Sequence, residues 1–457
     1  MIRILFTKYW VLAHLLVTAS TLCFNPTPSV GLTMWCVTAL LIMTLCLPPV
    51  FKGESFWLAR HRVSLAMRHD ALLWMAFVAI TYVGAQLLNA PRSLEYVSEL
   101  KRWAFSAPPF PFLPSSIEHS AGIPFFTGLL AGLMMAVVIR CALPRKQRLF
   151  ALIGVTLLTA LVAFWGALYA LITDTSPTFA WLGGTFDAAT LWLLSGCTAL
   201  GIVGEAFLER HPRTMAIAFV AAFGNLFGIF AFGPALQVIL ASIIVVGWSF
   251  FSLVAVRASG QFPRILWYCV LLLPILFTIG FGLILTPGTN TLRVELQMNA
   301  WAETLDTFFK QWTFRANIAM DVFTSDPMLG SGPDAFQHCA RFFIKGTLPW
   351  SLWKSGGDAL PNDFLRLLTE CGMIGTLFLL LPGGAMLGRC IMRWVEFQQS
   401  NRRHYSLRYI VIFVGSLLGV ICTLIISLFG TPLHTPAVVS VFLMICACMG
   451  GWMPRPR

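Results

Sequence analysis

The sequence predicts an all-α polytopic membrane protein of about twelve transmembrane helices, with a helical cap between the ninth and the tenth. Three observations predict it. The composition is 58% hydrophobic and 11% charged, with a mean hydropathy of +0.79, which suits lipid on most sides rather than water. The apolar residues gather into runs of the ~20 residues that cross a bilayer core about 30 Å thick. The Lys and Arg fall in short clusters between those runs, on alternate loops.

In chain order the spans are expected near 9–25, 30–51, 71–90, 121–143, 149–173, 187–207, 214–232, 234–256, 264–286, 373–392, 408–430 and 435–453. The first follows Arg3 and Lys8 as a signal peptide would. Its cleavage pattern of small residues is poor, and Leu22 before Cys23 does not suit a lipoprotein signal, so it is kept as a helix. Phe232-Gly233-Pro234 separates the seventh span from the eighth, leaving a tight hairpin or one broken helix as alternatives.

The loops test this count. Basic residues occupy the connections around 52–68, 145–148, 210–213, 257–264 and 389–403, whereas NPTPS near 27, TDTSPTF near 175 and GTPLHTP near 433 have none. That alternation predicts both termini in the cytoplasm of a bacterial inner membrane, with the 91–120 loop and the long 287–372 interval on the periplasmic face. The net charge of +12 then encodes topology, and no nucleic-acid partner is expected. The chain divides into nine spans (1–286), a periplasmic helical loop domain (287–372) and three further spans (373–457).

Nearly all of the twelve cysteines sit singly in apolar runs and read as small buried hydrophobes. Cys446-Ala-Cys448 lacks the spacing of a zinc site, and no metal or cofactor is expected. Cys339 and Cys371 fall in the polar interval; two separate thiols are expected there, with a bridge as the alternative. In the 91–120 loop a short amphipathic piece precedes a proline-aromatic stretch with Phe105, Phe110 and Phe112, which suits an interfacial aromatic belt along the membrane lipids.

The 287–372 interval is the long polar stretch of the chain and the place for a site facing water. Leu296, Ala300, Trp301, Leu305 and Phe308 predict one amphipathic helix, and Phe314, Ile318, Val322 and Phe323 a second, stopped by Asp326-Pro327. Gly330-Ser331-Gly332 predicts a tight turn and not a phosphate loop, since no Lys-Ser/Thr follows. Asn362 or Asp363 can cap a helix, NDFLRLLTEC, that stops at Gly372. His338, near Asp334 and Arg341, is a candidate base or phosphate donor.

The order of these pieces resembles the O-antigen ligase and polymerase superfamily. Its pattern is an Arg-bearing helix, a D-x-P-L-x-G-x-G-x-x-x-F turn, and H-N-D-x-L-x-x-x-x-E-x-G-x-x-G leading into a membrane helix. Pro327, Gly330, Gly332 and Phe336 match the first motif; Asn362, Asp363, Leu365, Glu370, Gly372 and Gly375 match the second. GGTFDAAT at 183–190 and TPLHTPAV at 431–438 extend the resemblance more weakly.

The resemblance implies a GT-C-like fold and a glycosyltransferase that moves a glycan from a polyprenyl-diphosphate carrier to a lipid or glycan acceptor, in envelope polysaccharide or lipopolysaccharide synthesis. It implies Arg315 as the diphosphate-binding residue, with Arg293 and Arg341 competing. The family's His is replaced by Pro361, so Asp363, Asp358 or His338 would take over its role beside Asn362, and AFGPALQ at 231–237 has no Arg where the family pattern has one. Two alternatives stand: a family member that binds lipid-linked glycan without chemistry, and a twelve-helix transporter, against which the few embedded charges such as Glu205 argue.

Overall fold

A computed structural model of the protein describes residues 2–24, 30–46, 54–89, 93–98, 102–106, 112–117, 119–173, 184–259, 292–344, 362–399 and 410–450, with a few single positions between them. The described residues form fourteen α-helices and one small hairpin. The first part comprises α1 (Ile2–Phe24), α2 (Val30–Cys46), α3 (Phe56–His69), α4 (Ala71–Leu88), β1 (Leu94–Val97) and β2 (Arg102–Phe105). Five helices follow: α5 (His119–Cys141), α6 (Arg145–Thr173), α7 (Thr185–Leu208), α8 (Pro212–Phe232) and α9 (Ala235–Ser259). The remainder is α10 (Leu292–Ser325), α11 (Phe336–Cys339), α12 (Asp363–Gln399), α13 (Ile410–Ile426) and α14 (Pro436–Met449).

Six of these are long and apolar enough to cross a membrane: α4 to α8, and α12 over Asp363–Ala385. Shorter apolar stretches lie in α1, α2, α9, α13 and α14. Their outward faces carry large apolar side chains such as Trp35, Ile172 and Val246, which suit lipid. The chain is therefore an all-α protein of membrane type. The span expected at 264–286 lies outside the described residues.

Helix α7 is the axis of the bundle. It packs against α8, α13 and α6, while α5 packs on α14 and α4 on α12. Gly201 of α7 and Gly415 of α13 let the two backbones touch, since a Cβ on Gly415 would lie 2.7 Å from Gly201 Cα. Polar groups inside the bundle answer particular backbone needs. Glu205 of α7 accepts a hydrogen bond from the first-turn N–H of Val411 at 3.3 Å. Asp70 caps α4 through Leu72 N and also pairs with Arg140 of α5 at 2.6 Å, fastening two neighbouring helices.

Three local expectations are corrected. The two amphipathic helices of the long interval are one continuous helix, α10, because Lys310-Gln311-Trp312-Thr313 contains no breaker. The 91–120 loop folds in part as an antiparallel hairpin that pairs Leu94 with Phe105 and Tyr96 with Trp103; its strands are four residues long, too short for a clear alternation. Phe105 packs inward rather than along an interface, while Phe110 and Phe112 are exposed as expected of a belt. A further helix, α3, lies between the second and third expected spans. It presents Ala59 and Val63 to the bundle and is capped by Ser55.

The second half of α10, α11, the 3₁₀ turn Ala340–Phe343 and the hairpin share a hydrophobic cluster separate from that of the bundle. Ile318, Val322, Phe336 and Phe343 are its centre, and Trp103 and Leu365 close it. This cluster fixes DPMLGSGPDAF over the start of α12.

Candidate functional site

The site begins with a break in a helix. At Gly372 the backbone of α12 turns to φ 66° and ψ −176°, so the helical ladder is interrupted there. Carbonyls and N–H groups that a straight helix would pair internally must find other partners. The GSG turn supplies them: Ser331 N donates to Thr369 O at 2.9 Å and Gly332 N to Glu370 O at 2.8 Å. In return Met373 N donates to Pro327 O and Ile374 N to Met328 O. Helix α4 completes the clamp, with Tyr82 Oη donating to Cys371 O at 2.8 Å and Gln86 Nε2 to Glu370 O at 2.9 Å.

Glycine is obligatory at the centre of this clamp. Gly330 and Gly372 both have positive φ, and a Cβ on Gly330 would sit 2.4 Å from Gly372 N. The expected turn at 330–332 and the expected stop at Gly372 are thus two halves of one structure. Cys339 and Cys371 are both buried and unbridged.

The clamp carries a charged node. Arg366, on the first turns of α12, donates from Nε to Glu370 Oε2 at 3.1 Å, one helical turn on. Its Nη2 donates to Asp334 Oδ1 and lies 3.0 Å from His434 Nε2. His434 Nε2 is also 3.0 Å from Asp334 Oδ2. The imidazole stacks flat on Phe125, with centroids 5.3 Å apart and planes 10° apart. Its Nδ1 is buried with no hydrogen-bond partner among the described residues. A neutral ring can either accept from Arg366 or donate to Asp334 through Nε2, so one of these two contacts is always unfulfilled.

Electrostatics follow from this packing. Burial pushes the His434 pKa down and the adjacent Arg366 charge adds to that, to about 4 against the pull of Asp334. His434 is therefore uncharged at neutral pH. Burial alone would raise Asp334, but the hydrogen bond from His434, and after it the charge and hydrogen bond of the Arg366 guanidinium, hold its carboxyl below the ordinary range. Asp334 also adopts a left-handed backbone, φ 59°, which a non-glycine residue rarely takes.

Two carboxylates extend the node into the bundle. Asp363 Oδ2 accepts from Leu433 N at 3.0 Å, and its own N–H donates to Ser427 O and Gly430 O. Asp187, in the first turn of α7, accepts a hydrogen bond from the Thr435 hydroxyl. Gln237, from the AFGPALQ stretch, reaches Phe186 O and Thr190 Oγ1 at 3.4 Å beside it. The stretches at 184–190, 326–336, 362–375 and 431–438 are far apart in the chain and meet in one place.

Of the residues expected at a site, Asn362 and Asp363 are here, but both serve the backbone. Asn362 Oδ1 caps α12 by accepting from Leu365 N at 2.7 Å. His338 is exposed on α11. Arg341 is exposed, with its guanidinium 4.8 Å over the Phe342 ring. Arg315 is half-buried on α10. Arg293 lies in the first turn of α10, where only the backbone is described; Asp358 and Pro361 lie outside the described residues.

Sequence reasoning passed over Arg366, Asp334 and His434 as site residues. The signal for Arg366 is its i, i+4 spacing from Glu370 at the mouth of an apolar segment. His434 stands between two Thr-Pro-containing turns in a loop without Lys or Arg, a pattern that marks position and not role. No protein-family model matches the chain, and no curated protein matches it.

Proposed function

We propose that the chain is a glycosyltransferase of the O-antigen ligase and polymerase type, moving a glycan from a polyprenyl-diphosphate carrier to a lipid or glycan acceptor hydroxyl. In this reading twelve spans cross a bacterial inner membrane, both termini are cytoplasmic, and the cap formed by α10, α11 and the hairpin is periplasmic. The observation that carries it is convergence: the four stretches that resemble the family surround one buried Arg–carboxylate–imidazole node beneath the cap. A chance likeness gives no reason for four separate segments to meet.

The reaction breaks the bond between the anomeric carbon and the phosphate oxygen and forms one from that carbon to the acceptor oxygen. The hydroxyl proton passes to a base, and polyprenyl diphosphate leaves. Developing charge on the diphosphate calls for a guanidinium. The test is a membrane assay with a labelled lipid-linked glycan. Transfer that produces polyprenyl diphosphate supports the reading; its absence with every acceptor class overturns it.

A second reading is favoured by one observation. Asn362 and Asp363, at the family's H-N-D position, are occupied with helix capping and a backbone contact, and Pro361 stands where that pattern has His. On that reading the chain holds lipid-linked glycan without transferring it, and the same assay gives binding with no diphosphate release.

A further inference from the structure

We propose that Arg366 is an anion-binding residue kept closed by an internal carboxylate, Asp334, and that a diphosphate group binds by displacing it. Three observations carry this. The first is the guanidinium itself: its side chain is 10% exposed, and among the described residues no hydrogen bond involves Nη1. Two N–H donors of a planar fork therefore remain for a phosphate oxygen.

The second is how Asp334 is held. It sits in a left-handed backbone conformation directly after Gly332-Pro333, on the turn and not on a helix. The loop pays strain to keep that carboxylate on Arg366. By contrast Glu370 reaches the same guanidinium from its own helix, one turn on. One carboxylate belongs to the helix that carries Arg366, and the other comes from a separate segment, where a rotation of the Asp334 side chain alone takes it off the guanidinium.

The third is His434, whose Nε2 faces both Arg366 and Asp334 and cannot satisfy both while uncharged. Removing the Asp334 carboxylate lets the ring accept from Arg366 alone. An arriving anion thus replaces a carboxylate already matched to the guanidinium and relieves a conflict at the imidazole. The choice of a diphosphate rests on the proposed transferase reading; the anion class rests on the guanidinium.

The experiment measures binding of inorganic pyrophosphate, a short polyprenyl diphosphate and sulfate to the purified full chain. Asp334→Asn, which tolerates the left-handed backbone, is expected to tighten both diphosphates on the order of tenfold, as removal of an internal competitor does. Arg366→Lys in that background is expected to reverse the gain. Tightening for the polyprenyl form alone supports the site and names the lipid-linked source. No tightening, equal tightening for sulfate, or a gain that survives Arg366→Lys overturns it. Should Asp334→Asn fail to fold, Asp334→Gly, which also suits the backbone, carries the same expectation. Transfer activity without tightening removes this site and keeps the enzyme; tightening without transfer does the reverse.

Discussion

The hydroxyl of Tyr82 shares its one proton between the carbonyl oxygens of Cys371 at 2.8 Å and Leu329 at 3.0 Å, so α4 ties the break in α12 to the glycine turn. That one contact joins a membrane-type helix, the glycine turn and the helix bearing Arg366. Tyr82→Phe keeps the ring, which packs edge-on to Phe378 at 5.8 Å, and removes only the hydrogen bond. Cys371 O then loses its Tyr82 donor, whereas Leu329 O keeps the one from Gln86 Nε2 at 2.9 Å. The variant is expected to lose about 1–2 kcal/mol, read as a lower unfolding midpoint in detergent. An unchanged midpoint would mean that the turn and the helix hold together without α4.

The glycine at the break gives a sharper test. A Cβ on Gly372 would lie 2.4 Å from Met328 O, and its φ of 66° is strained for any other residue. Gly372→Ala is expected to cost several kcal/mol and to reduce the folded protein in membranes severely. Gly383 and Gly384 lie on the same helix with nothing within 4 Å of an added Cβ. Alanine there is expected to be neutral or to stabilise by up to about 1 kcal/mol, through helix propensity. Equal damage at all three positions would contradict a special role for the break.

The arginines separate in the same way. Arg366→Ala removes the cation between Asp334 and Glu370 and leaves two enclosed carboxylates facing each other. The expected loss is roughly 3–5 kcal/mol. Arg341→Ala removes an exposed guanidinium stacked on Phe342, for an expected loss within about 1 kcal/mol. Thermal unfolding of the two variants side by side decides the ranking.

Much of the helical plan was legible because hydrophobic runs of membrane length admit few other readings, as α5 to α8 show. The turn at Gly330 and the stop at Gly372 were also legible, since glycine beside a helical pattern has few uses. Their pairing was not, because nothing local links residues about forty apart. The charged node at Arg366 was not anticipated for a related reason. Arg315, Arg341 and His338 stood out as polar residues in a polar interval, whereas Arg366 and His434 lay at the edges of apolar segments. Only the fold brings Asp334 and His434 together across 100 residues of sequence. The break that exposes backbone partners in α12 also determines which side chains meet there.

The pH dependence of stability tests the state of His434. Its folded value of about 4 lies below the ordinary 6.5, so between these values the unfolded chain binds a proton that the folded chain does not. Stability is therefore expected to rise with pH from about 4 to 6.5 and to level off above. Asp334 acts in the same sense: its depressed carboxyl adds stability that is lost as pH falls through its folded value. For His434 alone the full difference corresponds to roughly 3 kcal/mol, reduced because the side chain keeps 22% of its surface exposed. His434→Gln keeps a group able to reach Arg366 but does not titrate. The variant's midpoint is expected to vary less between pH 4.5 and 7 than that of the parent. If both chains show the same slope, the imidazole is not the group that senses acid, and the carboxylates around Arg366 carry the dependence instead.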